Sequence, residues 1–387
     1  MITRRARLWI SRGVAATLMM VFVVLAGATW LYSNRIETQL LTVIAPEPVR
    51  DLVVVASDQK TVTLALDEDT GRPGVWGLEY EGGYAELGDV LSTGDGTVTR
   101  QLLSMSGSLL PGTPAAFDRM AFAGDPSSRG VPFEEVLYPG PLGDYRAWLS
   151  PGADDTWVIF VHDRGADRRE ALRLLPTMAA LDLPAMVIGY RNDPETQASR
   201  GGHVGMGSDE WSDLEAAVDY AVGSGAADVV LVGYGVGGSI IEVFLNESRR
   251  AGSVAGVVLD APLLDAGGEV DRRAEAQKVP GFIVGWSKAI ATLRFGVDWG
   301  DLAHLSRAGE NTAPTLILHG DGDAVFPVAL SREFAAAAPF SVELVEVAGA
   351  GHGQAWNVDP KRYEAAVEGF LQEVAVGRSA AAGEEGD

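Results

Sequence analysis

The stretch Asp228–Leu245, DVVLVGYGVGGSIIEVFL, reads as a buried strand, a glycine-tight turn and a helix. A turn of the G-x-S-x-G type in that setting raises a serine hydroxyl clear of the backbone, ready to attack a carbonyl. Here the turn is Gly233-Tyr234-Gly235-Val236-Gly237, so the residue at the nucleophile position is Gly235, which has no side chain. Two further loops carry matching chemistry. One runs His319-Gly320-Asp321-Gly322-Asp323-Ala324-Val325-Phe326-Pro327, the other Ala348-Gly349-Ala350-Gly351-His352-Gly353, and each follows an apolar run of strand length. The chain order is then nucleophile position, acid, histidine: Asp323 orients and stabilises His352, and His352 takes a proton from whatever sits near residue 235. Asp321 lies closer to its strand end and is the weaker choice of acid. Ser239 is no substitute nucleophile, because one turn into the helix its hydroxyl points along the helix and away from His352.

These loops meet only if strands and helices alternate so that their carboxyl ends converge. From Tyr145 onward they do: Trp157–Val161, Ala185–Ile188, Val229–Val232, Val257–Leu259, Thr315–Leu318 and Val342–Val347 are continuous apolar runs suited to strands buried on both faces. Trp211, Leu214, Val218 and Ala221 fall at helical spacing, and Asp359-Pro360 opens a last helix with Tyr363, Val367, Phe370 and Leu371 on one face. Residues 266–312 show no strand pattern and carry Phe282, Ile283, Trp286, Ile290 and Leu293 at helical period, which predicts a small helical cap over the site. Residues 46–136 read instead as a β-rich subdomain, with short runs at Thr61–Leu66 and Val75–Tyr80 broken by TGRPG and STGDGT turns; it is functionally silent in sequence and reads as a packing layer. The tail, 376–387, is small and acidic and reads as disordered.

Between Arg12 and Arg35 no residue is charged, so 13–34 is long enough to span a bilayer. Arg4, Arg5, Arg7 and Arg12 precede it and Arg35 alone follows closely, which by the positive-inside rule leaves residues 1–12 in the cytoplasm and the main domain outside. Trp30 and Tyr32 suit the outer interface. Ala26-Gly27-Ala28 fits a signal-peptide cleavage pattern, but the apolar run continues past it, which favours a retained single-pass anchor in the cell membrane. The net charge of −23, with no basic cluster beyond the extreme N-terminus, argues against nucleic-acid binding. The chain has no cysteine, and no His and carboxylate trio has metal-ligand spacing, so neither thiolate chemistry, a disulfide, a metal nor a cofactor is expected.

Five segments taken in order, VIFVHDRGADRRE, VVLVGYGVGGSIIEVFL, VVLDAPLLD, LILHGDGDAVFP and VAGAGHGQAW, resemble an α/β-hydrolase of the serine-aminopeptidase-like branch, membrane-anchored bacterial type. The resemblance spans about Tyr138 to Leu371 and implies an α/β-hydrolase domain over 137–375, a mostly parallel sheet with helices on both faces. It also implies that the backbone N–H groups of Arg164 and Val236 form the oxyanion hole. The chain departs from that pattern at Gly235 and at His162-Asp163-Arg164-Gly165, where His-Gly-x-Gly is usual. Asp163 puts a carboxylate near a site meant for an anion, with Arg164, Arg168 or Arg169 as its partner.

Three functions follow from this reading. The domain binds a small-molecule ligand or a partner outside the membrane without serine-hydrolase activity. Alternatively, the His352–Asp323 dyad serves as a general base in chemistry without an acyl-enzyme, or a nucleophile from elsewhere, or water, sustains hydrolysis. Separately, Gly233-x-Gly235-x-x-Gly238 with Asp260 matches the dinucleotide fingerprint, although it lies in mid-sheet and leaves the other loops unexplained. His162, His203, His304, His319 and Asp260 read as structural.

Overall fold

The structure is a computed structural model that describes residues 4–43 and 49–384. Six short strands close into an antiparallel barrel: β1 (Leu52–Ser57), β2 (Thr61–Ala65), β3 (Trp76–Tyr80), β4 (Gly83–Gly94), β5 (Thr97–Ser106) and β6 (Pro114–Asp118), in the order β1-β2-β5-β4-β3-β6. Alternation fills its interior with Val62, Leu64, Trp76, Leu78, Leu87 and Val98. Arg100 is also enclosed there, and its guanidinium donates to the carbonyls of Thr70, Gly74 and Gly88 at 2.7–3.1 Å, pinning the TGRPG loop. That loop in turn docks on the C-terminal half, with the Val75 N–H donating to the Asn357 carbonyl at 2.8 Å.

The main sheet has eight strands: β7 (Glu134–Gly140), β8 (Gly143–Ser150), β9 (Thr156–Val161), β10 (Ala185–Ile188), β11 (Asp228–Tyr234), β12 (Val254–Asp260), β13 (Thr315–Gly320) and β14 (Val342–Val347). Their order is β14-β13-β12-β11-β9-β10-β8-β7, and all run in one direction except β8, which is antiparallel to both of its neighbours, β10 and the edge strand β7. The six apolar runs of the sequence all lie within these strands, and the sheet begins at Glu134, slightly before the expected boundary of 137. Strands β9, β10 and β13 are buried at every position, as continuous apolar runs between two helical layers must be.

Residues 266–312 form two cap helices, Ala266–Ala276 and Gly281–Phe295, followed by a tight turn at His304–Glu310. The N-terminal helix runs from Arg4 to Ile36 and continues as a wider π-type turn at Glu37–Leu41. It is long and apolar enough to cross a membrane by length and composition. The last helix, Pro360–Glu384, extends through most of the tail that its composition marked as disordered, because the alanines at 380–382 favour helix intrinsically. Residues 385–387 lie outside the described residues.

Candidate functional site

The sharp turn between β11 and the helix Val236–Glu247 holds Gly235 at φ 50°, ψ −111°, a conformation that most side chains avoid. It is fixed by backbone bonds on either side: the Gly235 N–H donates to Asp260 at 2.9 Å, and the Gly235 carbonyl accepts from Leu263 at 3.0 Å. The elbow geometry is therefore present. The space that a side chain at 235 would fill is occupied by Asp163, which follows β9. A Cβ built on Gly235 would lie no more than 2.7 Å from Oδ1, Cγ and Oδ2 of Asp163, far inside van der Waals contact.

Asp163 is buried, and each of its carboxylate oxygens is engaged. Oδ1 accepts from the Val236 N–H at 2.8 Å and from the Arg164 N–H at 2.7 Å. These are the two donors that the resemblance assigns to an oxyanion hole, and both are held by the chain's own carboxylate. Oδ2 accepts from His352 Nε2 at 3.2 Å and lies 3.5 Å from an Arg119 Nη2. Magnitudes decide who holds the site. A hydrogen bond to a charged group contributes roughly 1.5–3 kcal/mol and a neutral one roughly 0.5–1.5, so a neutral ester carbonyl does not displace this carboxylate.

On its other side, His352 donates from Nδ1 to Asp323 Oδ2 at 2.8 Å, and its ring meets Phe326 edge-on. Asp323 Oδ1 accepts from the Val325 and Phe326 N–H groups at 2.7 and 2.9 Å, while Oδ2 also meets His319 Nε2 at 3.1 Å. Asp321 instead binds the Gly349 N–H on the surface. Burial disfavours a charged His352, but the flanking Asp163 and Asp323 carboxylates outweigh it and push its pKa up to about 10. For Asp163, burial is outweighed in turn by His352, Arg119 and the Val236 N–H, which hold its carboxyl below the ordinary range. At neutral pH the site is thus a fully paired row: Asp323 carboxylate, His352 imidazolium, Asp163 carboxylate, Arg119 guanidinium. A protonated His352 has no free lone pair with which to accept a proton.

Arg119 comes from the barrel side, just past β6, and also donates to Glu170 Oε1 at 2.9 Å; Glu170 Oε2 accepts from the Asp163 N–H at 2.8 Å. The β-rich subdomain is therefore not a silent packing layer, since it supplies the cation that faces Asp163. Of the arginines expected to pair with Asp163 through their side chains, none does. Arg168 reaches toward Glu135 and Glu195, and Arg169 binds Asp167. Arg164 sends its guanidinium to the carbonyls of Gln39, Leu40 and Thr42 at 2.9–3.3 Å, tying the stretch after the N-terminal helix to the site. A cavity of about 250 Å³ over the Asp163–His352 pair is walled by Leu40, Met206, Arg273 and Phe326.

The remaining sequence candidates have other partners. Ser239 is fully buried, donates to the Met206 carbonyl at 2.8 Å and accepts from His304 Nε2 at 2.8 Å, well away from His352. His162 bridges the Asp163 carbonyl and Asp193 and stacks on Tyr190. His203 meets Glu37. Asp260 is buried against the Tyr363 hydroxyl at 3.0 Å and Arg173 at 3.8 Å, so it is not presented to a ribose as the dinucleotide reading requires. Sequence reasoning missed Arg119 and Glu170, because no local pattern links a residue after β6 to a loop after β9. It did see both departures, Gly235 and Asp163, but not that they are halves of one replacement.

Comparison with known proteins separates the parts of the chain. Residues 53–118, which hold the barrel strands, match a family described as a domain of unknown function (DUF8805). Over 79 residues the chain is 44% identical to a 3-phosphoshikimate 1-carboxyvinyltransferase of Phenylobacterium zucineum (strain HLK1), a match that takes in 20% of this chain and spans only 15% of that protein. Among solved structures, the Pyrococcus furiosus esterase PF2001 superposes with a TM-score of 0.53 at 17% identity, covering 65% of this chain and 95% of the esterase. A second crystal form of that esterase gives 0.50 at 18% identity, covering 65% and 96%. At such identity the likeness speaks to architecture alone. The chain has the α/β-hydrolase fold, set behind a closed six-stranded β-barrel and one N-terminal apolar helix.

Proposed function

We propose that this is a membrane-anchored α/β-hydrolase-fold protein without serine-hydrolase activity, which keeps the frame of a catalytic site as a paired, internally occupied binding domain. The observation that carries the reading is the Asp163 carboxylate, seated over Gly235 and holding the Val236 and Arg164 N–H groups. Without a nucleophile, a serine-hydrolase frame retains roughly 10³–10⁴-fold acceleration over water from binding and the oxyanion hole. Here even the oxyanion donors are taken. The dyad reading is disfavoured for a separate reason, since His352 held at about 10 is an acid and not a base at neutral pH. The N-terminal helix supports a single-pass anchor with residues 1–12 cytoplasmic and the barrel and hydrolase-fold domain outside, and the cavity beside Leu40 and Arg273 is where a small-molecule ligand fits. The test is turnover of short acyl esters by the purified full chain in detergent. Hydrolysis no faster than for a His352→Ala variant is expected; robust turnover that His352→Ala abolishes overturns the reading.

A further inference from the structure

The outward face of the second cap helix carries no charge. Residues Phe282, Gly285, Trp286, Ala289, Thr292 and Leu293 recur at helical spacing along it and are all exposed, with Phe282 at 58%, Trp286 at 68% and Leu293 at 87%. A helix that faces water reserves that stripe for charged and polar side chains. Its two cations are turned aside: Lys288 pairs with Asp271 at 2.8 Å, and Arg294 lies over the Trp30 ring at 4.3 Å while donating to Asn34 at 2.6 Å. Those contacts place the helix. Ser287 donates to the Thr29 carbonyl at 3.0 Å, and Thr29, Tyr32, Ser33 and Ile36 are the part of the N-terminal helix buried against the protein, while Val14 to Leu25 stay uncovered. The apolar stripe therefore lies beside the last turns of the apolar span, next to exposed Trp30 and Leu31.

We propose that the helix Gly281–Phe295 is a second membrane contact, lying in the outer-leaflet interface with Phe282, Trp286 and Leu293 in the lipid; this rests on the anchor reading of the N-terminal helix. The occupant is a bilayer because the stripe is continuous with a segment whose own exposed surface is lipid-compatible, and because its aromatic and aliphatic composition is that of an interfacial helix. Two attachment points fix the domain's orientation, with the cavity by Leu40 and Arg273 held close to the membrane surface.

The absence of native cysteine allows a direct test. Single variants Leu293→Cys, Val21→Cys and Phe340→Cys of the full chain are labelled with an environment-sensitive fluorophore and reconstituted into phosphatidylcholine–phosphatidylglycerol vesicles. Quenching by spin-labelled acyl chains is then compared with quenching by aqueous iodide. The expected result is lipid quenching at Val21 and Leu293, several-fold stronger than at the fully exposed Phe340, which responds to iodide alone. Lipid quenching at Val21 with iodide quenching at Leu293 overturns the proposal and leaves the anchor standing. An apolar spectrum at Leu293 that neither quencher affects identifies a second copy on the stripe, and also overturns it. Iodide quenching at Val21 removes the anchor and this inference together.

Discussion

Asp163 and Gly235 share one volume: the carboxylate of the first stands where any side chain of the second would stand. The two departures from the resembled pattern are therefore a single steric and electrostatic unit. The Val236 and Arg164 N–H groups and His352, to which the resemblance assigns oxyanion-hole and catalytic roles, are all turned to Asp163.

Gly235→Ser alone is expected to destabilise the protein by about 1–3 kcal/mol, the usual range for forcing a group into a packed site. Asp163→Gly in the same chain is expected to relieve the steric part of that loss, while the strain of a serine at φ 50° remains. Urea unfolding of the single and double variants measures it, and a Gly235→Ser chain as stable as the parent contradicts the shared-volume account.

The raised pKa of His352 sets a pH dependence. Its folded value, about 10, lies above the ordinary 6.5, so its contribution to stability is full below pH 6.5, declines as pH rises and is gone above about 10. Asp163 has the opposite sign: its carboxyl is held below the ordinary 3.8, so its contribution is present above that pH and is lost as pH falls below it. The histidine resonances of the parent, assigned by comparison with His352→Gln, are expected to show His352 still protonated at pH 8. A midpoint near 6.5 contradicts the paired row of charges.

Much of this was legible in the chain. The apolar runs marked the parallel strands because burial on both faces leaves no polar alternation, and the ordered HGDGD and AGAGH loops led to Asp323 and His352. The barrel's closure was not legible, since short alternating strands specify a face but not a partner. Arg119 was hidden for the same reason: its contact with Asp163 is created by docking the barrel on the loop around Asn357, a tertiary event with no signature near residue 119. The helical tail escaped because its acidic, small-residue composition outweighed alanine's helix preference in the reading.

Arg119 joins the barrel to the site, and Arg119→Met takes from Glu170 its nearer cation, leaving Arg173 at 4.0 Å, and from Asp163 one of two, leaving His352. With the arginine partly solvated, the expected loss is about 2 kcal/mol, and Glu170→Gln in the same chain recovers part of it by removing a buried charge left with only the more distant Arg173. A double-mutant cycle with no coupling contradicts the link.

Arg164 ties three carbonyls of the segment Gln39–Thr42 to the loop that holds Asp163. Arg164→Leu is expected to speed amide exchange across Leu40–Thr42 without unfolding the sheet, as loss of local protection does. Unchanged exchange there shows that the tether is not what holds the segment.

The central claim is most directly tested by fluorophosphonate labelling of the parent, Gly235→Ser, Asp163→Gly and the double variant Asp163→Gly/Gly235→Ser, side by side. The account predicts labelling in the double variant alone, at about 100-fold or more above the other three, the scale on which oxyanion donors act. Labelling of the parent, or of Gly235→Ser as strongly as of the double variant, contradicts it.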